Sequence, residues 1–285
     1  MPRILTPEEA GKYHQDGFHF PVRVMSEDEA RAYRTKLESF EADQGGYLTG
    51  RKRQKLYLVL TWMNDLVRHP RILDAIEDIL GPDILCWQAG FFIKEPRAKG
   101  FVSWHQDSTY WGLSKPDVCT AWLALSPATI ESGAMQVAAG THNGDQLPHE
   151  DTFDPDNLLT RGQKLSAEFD RSRQVDMVLR PGEVSLHHVR LAHASQPNRT
   201  DDRRIGLAIR YVAPHVRQIT GVPDSAMLVR GEDRYHNFEA ETPPVSDMHP
   251  DAIALHDRVT SAREGFIYKD TDKGAHRDGG GIAGD

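Results

Sequence analysis

Three side chains in this sequence could together hold a metal ion. His105 and Asp107 stand two positions apart in the segment Ser-Trp-His-Gln-Asp-Ser, and His193 follows much later in Leu-Ala-His-Ala-Ser. Two imidazoles and one carboxylate can occupy one face of an Fe(II) ion and leave its other coordination positions open for oxygen and a reducing co-substrate. Arg204 comes shortly after His193, and its guanidinium could bind the carboxylate of such a co-substrate.

The His-x-Asp triplet alone is weak evidence for a metal site. Such a triplet arises easily by chance in a chain with 14 histidines and 42 acidic residues. In a strand alternate side chains share a face, so a strand here would project His105 and Asp107 together. His187 and His188 compete with His193 as the third ligand, and the residues alone do not decide between them.

The composition indicates a soluble protein of a reducing compartment, which we expect to be the cytoplasm. The formal charge of -8 disfavours binding to nucleic acid or to an anionic membrane surface, which leaves a small molecule as the expected partner. Two cysteines, Cys86 and Cys119, are too few for a disulfide scaffold or a cysteine-based zinc site. No apolar stretch approaches the roughly 20 residues of a membrane-spanning helix, and no heptad pattern indicates an oligomeric state.

Three helices are predicted in the first part of the chain. Capping boxes at Thr6 to Glu9 and at Ser26 to Glu29 each indicate a helix start, because the hydroxyl and the later carboxylate satisfy free backbone amides. A third helix is expected over about residues 70–80, where Gly81 provides the left-handed residue that ends many helices.

Beyond Gly81 the pattern changes to short β-rich runs, which predict a β-sandwich or barrel. These runs cover residues 91–93, 120–125, 184–189 and 205–212. A jelly roll would bring His193 to the His105 segment, since it folds remote strands around one cavity.

One domain is predicted over residues 1–269. Its parts are a helical N-terminal part (about 1–82), a jelly-roll core (about 83–215) and a C-terminal extension (about 216–269). Residues 143–173 show no clear period, and a loop of that length in a compact domain is usually a lid or a binding loop. Residues 270–285 are rich in glycine and polar side chains, which predicts a disordered tail.

A series of motifs runs in one order through the second half of the chain: Trp104-His105-Gln106-Asp107, Trp122-Leu123-Ala124-Leu125, Ser132-Gly133-Ala134, Gly140-Thr141-His142, Pro181-Gly182 and His193 to Arg204. Their order and spacing resemble the phytanoyl-CoA dioxygenase family of Fe(II)- and 2-oxoglutarate-dependent oxygenases, over roughly residues 6–215. Ala194 stands where that family usually has glycine. The resemblance implies a mostly β fold, a double-stranded β-helix (jelly roll, cupin-like) flanked by N-terminal α-helices.

The resemblance also implies roles for individual residues. His105, Asp107 and His193 would be the Fe(II) ligands, and Arg204 would bind the distal carboxylate of 2-oxoglutarate, with Arg203 as the alternative partner. Further candidates for contact with 2-oxoglutarate are Ser195, Trp122 (alternatively a core aromatic residue) and Gln88. The candidates for contact with substrate are Lys55, Lys94, Arg210 and Trp111.

The strand predicted around residues 205–212 has two different faces. Arg204 and Arg210 would share one face with Gly206 and Ala208, whose small size would leave room for a ligand beside Arg204. A structural ion pair is the alternative role for Arg210. The opposite face is apolar and should pack beneath the N-terminal helices; it carries Ile205, Leu207, Ile209 and Tyr211.

The implied reaction is O2-dependent hydroxylation of a C–H bond in a small polar metabolite, with release of succinate and CO2. In related halogenases a small residue replaces the ligand carboxylate, so Asp107 favours hydroxylation over chlorination. Desaturation, epoxidation and cyclisation begin with the same hydrogen abstraction and are alternatives. Two other classes stay open: a cupin-like isomerase or lyase without oxygenase activity, and a ligand-sensing protein that has lost turnover. No feature of the sequence identifies the substrate.

Overall fold

The computed structural model describes residues 4–267, and the tail predicted over 270–285 lies outside the described residues. The helices of the described part are α1 (Pro7–Asp16), α2 (Glu27–Asp43), α3 (Thr61–Val67), α4 (Pro70–Leu80) and α5 (Pro250–Ile267). Short 3-10 helices cover Gly50–Arg53, Leu56–Leu58, Asp107–Tyr110 and Thr141–Asn143.

The three predicted helices are α1, α2 and α4. Both capping boxes form: the Thr6 hydroxyl accepts a hydrogen bond from the Glu9 amide at 3.2 Å while the Glu9 carboxylate accepts one from the Thr6 amide at 2.7 Å, and Ser26 does the same in α2. Gly81 ends α4 with a φ of 89°. The sequence analysis missed α3, which has no side-chain cap at its start, and α5 in the C-terminal extension.

The strands of the described part form three sheets. They are β1 (Phe18–Arg23), β2 (Ile84–Lys94), β3 (Val102–His105), β4 (Val118–Ala124), β5 (Met135–Ala138), β6 (His149–Asp151), β7 (Gln163–Leu165), β8 (Gln174–Met177), β9 (Glu183–His188), β10 (His193–Ser195), β11 (Arg204–Val212), β12 (Ser225–Arg230) and β13 (Glu239–Ala240). The large sheet has the order β1-β9-β4-β11-β2-β12-β13, the small sheet the order β3-β10-β5-β8, and β6 pairs with β7.

This arrangement confirms the predicted mostly β, jelly-roll fold with helices at the N-terminus. The large sheet contains β1 from the N-terminal part and β12 from the C-terminal extension, so the boundaries predicted near residues 82 and 215 do not delimit it. The division into one domain stays a prediction. Residues 143–173 contain the paired strands β6 and β7, so this segment is more regular than the expected loop.

The helices cover the outer face of the large sheet. The predicted apolar face of β11 lies in the core there, where Ile205, Leu207, Ile209 and Tyr211 are each 0 % exposed. Ile72 and Ile76 of α4 belong to the same core, as expected for a helix that packs on this face. The inner face of the sheet is therefore left to face the small sheet.

Both cysteines belong to the hydrophobic core. Cys86 and Cys119 are buried and form no disulfide. Burial raises the pKa of the Cys119 thiol to about 12, so this group stays protonated at neutral pH. Within residues 4–267, no helix has both the length and the apolar character that a bilayer crossing requires.

Candidate active site

The inner face of the large sheet is organised in rows across its strands. Paired residues of neighbouring strands project to the same face. Lys94 of β2 pairs with Arg204 of β11 at one end of the face. At the other end, one row crosses four strands through His187, Thr120, Arg210 and Gln88. The middle rows carry mainly apolar or small side chains: Trp122, Ala124, Phe92, Gly90, Gly206 and Ala208.

The small sheet and the turn after it bring together the three predicted metal ligands. His105 at the end of β3 pairs directly with His193 at the start of β10. The Asp107 Oδ1 atom lies 3.4 Å from His105 Nε2 and 4.0 Å from His193 Nε2, and one potential ligand atom of each residue lies within 4.8 Å of the others. Asp107 does not share a strand with His105, as the alternation argument assumed, because it begins the 3-10 helix Asp107–Tyr110.

Backbone hydrogen bonds orient both imidazoles. His193 Nδ1 donates to the Leu191 carbonyl at 2.9 Å, and His105 Nδ1 lies 2.9 Å from the Ser103 carbonyl, which can only accept. The Nε2 atoms thereby keep lone pairs that could bind a metal, an arrangement typical of histidine ligands. Burial lowers the pKa of His193 well below its usual value, which favours the neutral form that a metal requires.

Asp107 is held as a carboxylate. Burial by itself would raise its pKa, but close contact with the His105 and His193 imidazoles and the charge of Arg210 keep that pKa well below the usual range. Two neutral imidazoles and one carboxylate form a donor set that suits Fe(II) with open coordination positions. The residues present therefore fit the metal that the sequence motifs imply.

The competing histidines lie outside this group of ligand atoms. The His187 ring centroid lies 5.2 Å from that of His193 across the cavity, and its Nδ1 has no hydrogen-bond partner among the described residues. His188 faces elsewhere: its Nδ1 accepts a hydrogen bond from the Arg190 amide at 3.1 Å, and its ring packs near His142. The geometry favours His193 over both as the third ligand.

Arg204 and Arg203 have opposite environments although they are neighbours. Arg203 pairs with Glu41 at 2.7 Å and with Glu95 at 2.9 Å. Arg204 is 2 % exposed, lies over the Trp122 ring at 5.2 Å, and has no carboxylate partner among the described residues. Burial lowers the pKa of Arg204 to about 10, so its guanidinium is still charged at neutral pH. Of the two arginines, Arg204 is therefore the one that can bind the carboxylate of a ligand.

Trp122 occupies the space that was expected to be free beside Arg204. A Cβ atom added to Gly206 would lie 1.8 Å from Cζ2 of the Trp122 indole. Gly206 thus makes room for this indole, and the prediction that it leaves room for a ligand is wrong. Trp122 and Ala208 both line the cavity, so the indole packs on Gly206 and also forms part of the cavity wall.

We expect Gly206→Ala to destabilise the protein by about 1–3 kcal/mol or more, because its methyl group overlaps the Trp122 indole. Thermal unfolding and tryptophan fluorescence would measure the loss and the displacement of the ring. Gly11→Ala is the matched control, since a Cβ there meets nothing within 4 Å and α1 should gain up to about 1 kcal/mol. Equal unfolding temperatures for Gly206→Ala and the wild type would contradict this packing.

Arg210 approaches the cavity from the other end of β11. Its guanidinium lies 5.6 Å from the Phe92 ring and 5.3 Å from the Trp111 ring. No structural ion pair of Arg210 occurs within residues 4–267, and its Nε has no hydrogen-bond partner there. Trp111 packs behind this guanidinium against Trp87, with ring centroids 5.0 Å apart, and so supports Arg210 without lining the cavity.

A cavity lies between the two sheets. It is lined by His105, Asp107, His193, Ser195, Arg204, Arg210, Thr120, His187 and apolar residues that include Phe92, Val102 and Met135. Buried polar atoms are normally hydrogen-bonded. Six atoms of the inner face have no partner within the described residues: Gln88 Oε1, Thr120 Oγ1, Ser185 Oγ, His187 Nδ1, Arg204 Nε and Arg210 Nε.

Besides Trp111, the candidates Lys55 and Gln88 also do not line the cavity. Lys55 does not line the cavity; its ammonium is buried against Glu241, and it donates to the Ser225 carbonyl at 3.0 Å. Lys55 therefore stabilises the C-terminal extension, and its proposed contact with substrate is not supported. Gln88 donates a hydrogen bond to Gln54 and lies on the cavity face without lining the cavity itself.

Hydrogen bonds connect the segment 143–173 to the residues from Gln106 to Tyr110. His149 Nε2 accepts a hydrogen bond from the Gln106 amide at 2.9 Å, and the Tyr110 hydroxyl donates to Asp151 at 2.5 Å. Asp151 also pairs with Arg161 at 3.0 Å. These contacts connect the segment to the turn that contains Asp107.

The sequence analysis did not predict that polar residues of several strands form one row near the predicted metal ligands. Thr120 was not singled out, and His187 was considered only as a competing ligand. The signal available was a polar residue at alternate positions of otherwise apolar strands, as at Thr120 in β4 and at Ser185 and His187 in β9. The alternation of polar and apolar residues along a strand does not show which of its two faces lines a cavity.

Comparisons with known proteins agree with this geometry. The family model for phytanoyl-CoA dioxygenase (PhyH) matches residues 13–206. A relative from Stutzerimonas stutzeri, named probable alpha-ketoglutarate-dependent hypophosphite dioxygenase, is 27% identical over 172 residues, which cover 60% of this chain and 60% of the relative. The chain spans 48% to 60% of the length of the first curated relatives it matches.

Solved structures share the fold. The structure described as the non-heme monooxygenase ThoJ in its apo form has a TM-score of 0.80 and 33% identity, with 91% of this chain and 97% of that chain covered. The structure of CytC3 with Fe(II) and alpha-ketoglutarate has a TM-score of 0.65 and 23% identity, with 85% and 95% covered. At that identity the second likeness shows the fold alone.

Proposed function

We propose, from the premise that this chain belongs to the phytanoyl-CoA dioxygenase (PhyH) family, that it is an Fe(II)- and 2-oxoglutarate-dependent dioxygenase that hydroxylates a C–H bond of a small polar metabolite. The observation that carries the proposal is a cluster of two histidines and one aspartate in one cavity, together with two buried guanidinium groups that have no carboxylate partner within residues 4–267. Bound Fe(II) and 2-oxoglutarate, with O2, would supply the oxidising chemistry and yield succinate and CO2.

The metal would be held by His105 Nε2, His193 Nε2 and the Asp107 carboxylate. This assignment is supported by the tautomers that the backbone carbonyls impose on both imidazoles. It is also supported by the carboxylate character of Asp107, since an ion of charge +2 prefers an anionic oxygen ligand. A carboxylate at this position leaves no place for a halide ligand, which favours hydroxylation over chlorination.

The two arginines match the two ends of a dicarboxylate. Arg204 contacts the Trp122 ring and Arg210 contacts the Phe92 ring, so both side chains reach from opposite ends of β11 toward the middle of the face. Arg210 also acts electrostatically on Asp107, which puts it at the metal end. We assign Arg204 to the distal carboxylate of 2-oxoglutarate and Arg210 to the carboxylate beside the metal, because each anionic group requires a cationic partner in a buried site.

The remaining unpaired polar atoms support a polar substrate. His187 and Thr120 are cross-strand partners beside Arg210, and both line the cavity. A substrate that offered no hydrogen-bonding group would leave the His187 Nδ1 and Thr120 Oγ1 atoms unsatisfied in the complex. Phe92, Val102 and Met135 would exclude water around the group that is oxidised.

The proposed function is tested by anaerobic titration of the Fe(II)-loaded protein with 2-oxoglutarate, followed by a metabolite screen in air. We expect a weak visible metal-to-ligand charge-transfer band, and succinate formation that a polar metabolite accelerates. Mass spectrometry of the product separates oxygen insertion (hydroxylation or epoxidation, a gain of one oxygen) from desaturation or cyclisation (a loss of two hydrogens), and NMR spectroscopy distinguishes an alcohol from an epoxide. A protein that binds Fe(II) without developing the band would be a metalloenzyme of another class, and the proposal would fail.

We expect Thr120→Val to raise the KM for the accelerating metabolite about tenfold, because it removes one hydrogen-bonding group from the substrate side. The fold should tolerate the change, since the Thr120 hydroxyl has no partner among the described residues and valine has nearly the same shape. Initial-rate kinetics and thermal unfolding are the measurements. Thr35→Val on the exposed face of α2 serves as the control. An unchanged KM for every active metabolite would remove Thr120 from the substrate site.

A further inference from the structure

Lys94 is a second buried basic side chain beside Arg204. Lys94 is the last residue of β2 and pairs with Arg204 of β11. Its residue surface is 2 % exposed. Its side chain has no carboxylate partner in the described part of the chain. Charging two neighbouring buried basic groups is costly to a fold when no anion lies beside them. Such an arrangement indicates a site that an anion completes.

The hydrogen bonds of Lys94 connect it to the cavity wall. Its ammonium donates to Ser195 Oγ at 2.7 Å and to the Gln196 carbonyl. Ser195 lies on β10, two residues after the ligand His193, and lines the cavity. Because the Ser195 oxygen accepts from Lys94, its own proton is available to an acceptor in the cavity. The lysine therefore presents the serine hydroxyl as a donor.

A tight turn holds the ammonium in place. Gly133 has a φ of +77°, and a Cβ atom there would lie 2.1 Å from the Gln196 carbonyl oxygen and 3.0 Å from Lys94 Nζ. This explains the glycine of the Ser132-Gly133-Ala134 motif: the turn packs directly on the groups that Lys94 connects. The position of Lys94 Nζ is thus determined by both sheets and by this turn.

We propose that Lys94 is a positioning residue for the distal carboxylate of 2-oxoglutarate. It acts through Ser195, whose hydroxyl it orients toward the carboxylate that Arg204 binds, and it becomes a second positive charge at that end of the cavity when this carboxylate binds. This inference rests on the proposed function and deepens it. It also reassigns Lys94, which the sequence analysis placed among the substrate candidates.

The charge state of Lys94 gives the proposal a thermodynamic consequence. Burial, and then the charge of Arg204, lower the pKa of Lys94 to about 6, so the amine is mostly neutral at about pH 7.5 without a ligand. The other groups that face it, the Ser195 hydroxyl, the Gln196 carbonyl and the Gly133 turn, do not titrate. A carboxylate bound nearby raises this pKa, so binding of 2-oxoglutarate should take up protons, and affinity should fall as pH rises above about 6.

The test compares two keto acids in the Fe(II)-loaded protein under anaerobic conditions. 2-Oxopentanoate retains the keto acid end of 2-oxoglutarate and has a methyl group in place of the distal carboxylate. We expect Lys94→Met to weaken binding of 2-oxoglutarate about tenfold or more and to leave binding of 2-oxopentanoate unchanged, by calorimetry and by the charge-transfer band. Ser195→Ala should show the same selectivity, and the double variant should lose little more than either single variant.

Calorimetry in two buffers of different ionisation enthalpy gives an independent readout, in which proton uptake should occur in the wild type and disappear in Lys94→Met. Thermal unfolding checks that each variant is folded, and Ser195→Ala carries the test if Lys94→Met is not. The inference is overturned if 2-oxoglutarate binds the variants as tightly as the wild type, or if both keto acids are weakened equally, as a purely structural role would require. Lack of 2-oxoglutarate binding by the wild type would instead overturn the proposed function.

Discussion

Asp107→Ala should abolish turnover of 2-oxoglutarate and weaken Fe(II) binding by more than the roughly 10- to 100-fold that loss of an outer hydrogen-bond partner of a ligand costs. Asp107 is the only anionic group in the cluster with His105 and His193, so its removal leaves a +2 ion with two neutral ligands. Succinate release, Fe(II) content after desalting and the charge-transfer band measure the effect. His187 is not expected to substitute, because it lies outside the group of ligand atoms.

The control for this substitution is Asp201→Ala, whose carboxylate is exposed and pairs with Arg97 at the surface. Both properties, metal content and activity, should be unchanged in the control. Removal of Asp107 also leaves Arg210 without its nearest anionic neighbour, so the apoprotein should not become more stable. A variant lacking Asp107 that retained stoichiometric Fe(II) and turned over 2-oxoglutarate would show that the metal is held elsewhere.

Arg204→Met should weaken binding of 2-oxoglutarate by at least about 100-fold, while the ligand-free protein becomes as stable as the wild type or more stable, by up to about 4 kcal/mol. The affinity falls because the buried carboxylate of the ligand loses its charged partner. The stability rises because a buried guanidinium without a carboxylate partner is replaced by an apolar side chain of similar length. Calorimetric titration and thermal unfolding measure the two effects on the same samples.

Two further variants separate charge, geometry and position. Arg204→Lys keeps the charge but not the planar pair of donors, so it should bind 2-oxoglutarate with intermediate affinity. Arg203→Met is the matched neighbour: it leaves Glu41 and Glu95 unpaired and should destabilise the protein by about 3–5 kcal/mol. If Arg204→Met instead bound 2-oxoglutarate normally and was destabilised, Arg204 would be a structural residue.

Local patterns were predictable wherever a few neighbouring residues decide the structure. Both capping boxes and the end of α4 at Gly81 depend on contacts within about four residues, and all three formed as predicted. The alternation of β11 correctly separated its core face from its cavity face, because strand periodicity is a local property. α3 was missed because it has no capping signal.

Predictions about the site succeeded where recognisable motifs marked the residues and failed where only contacts between distant segments decide the outcome. The cluster of His105, Asp107 and His193 was anticipated from motifs, but Asp107 reaches it from a 3-10 helix. Lys55 was misassigned because its partner, Glu241, is 186 residues away. The space beside Gly206 was misjudged because the indole that fills it comes from another strand.

The amino-acid sequence by itself determined which chemical groups this protein has: a set of iron-type ligands, an arginine suited to a carboxylate, and strands with one apolar and one polar face. Only the tertiary structure decided which of the cations have partners. Arg203 and Lys55 find carboxylates, whereas Arg204, Arg210 and Lys94 are buried without one in the described residues. The physical reason is that desolvation and pairing depend on strand register between distant segments, which no local pattern specifies.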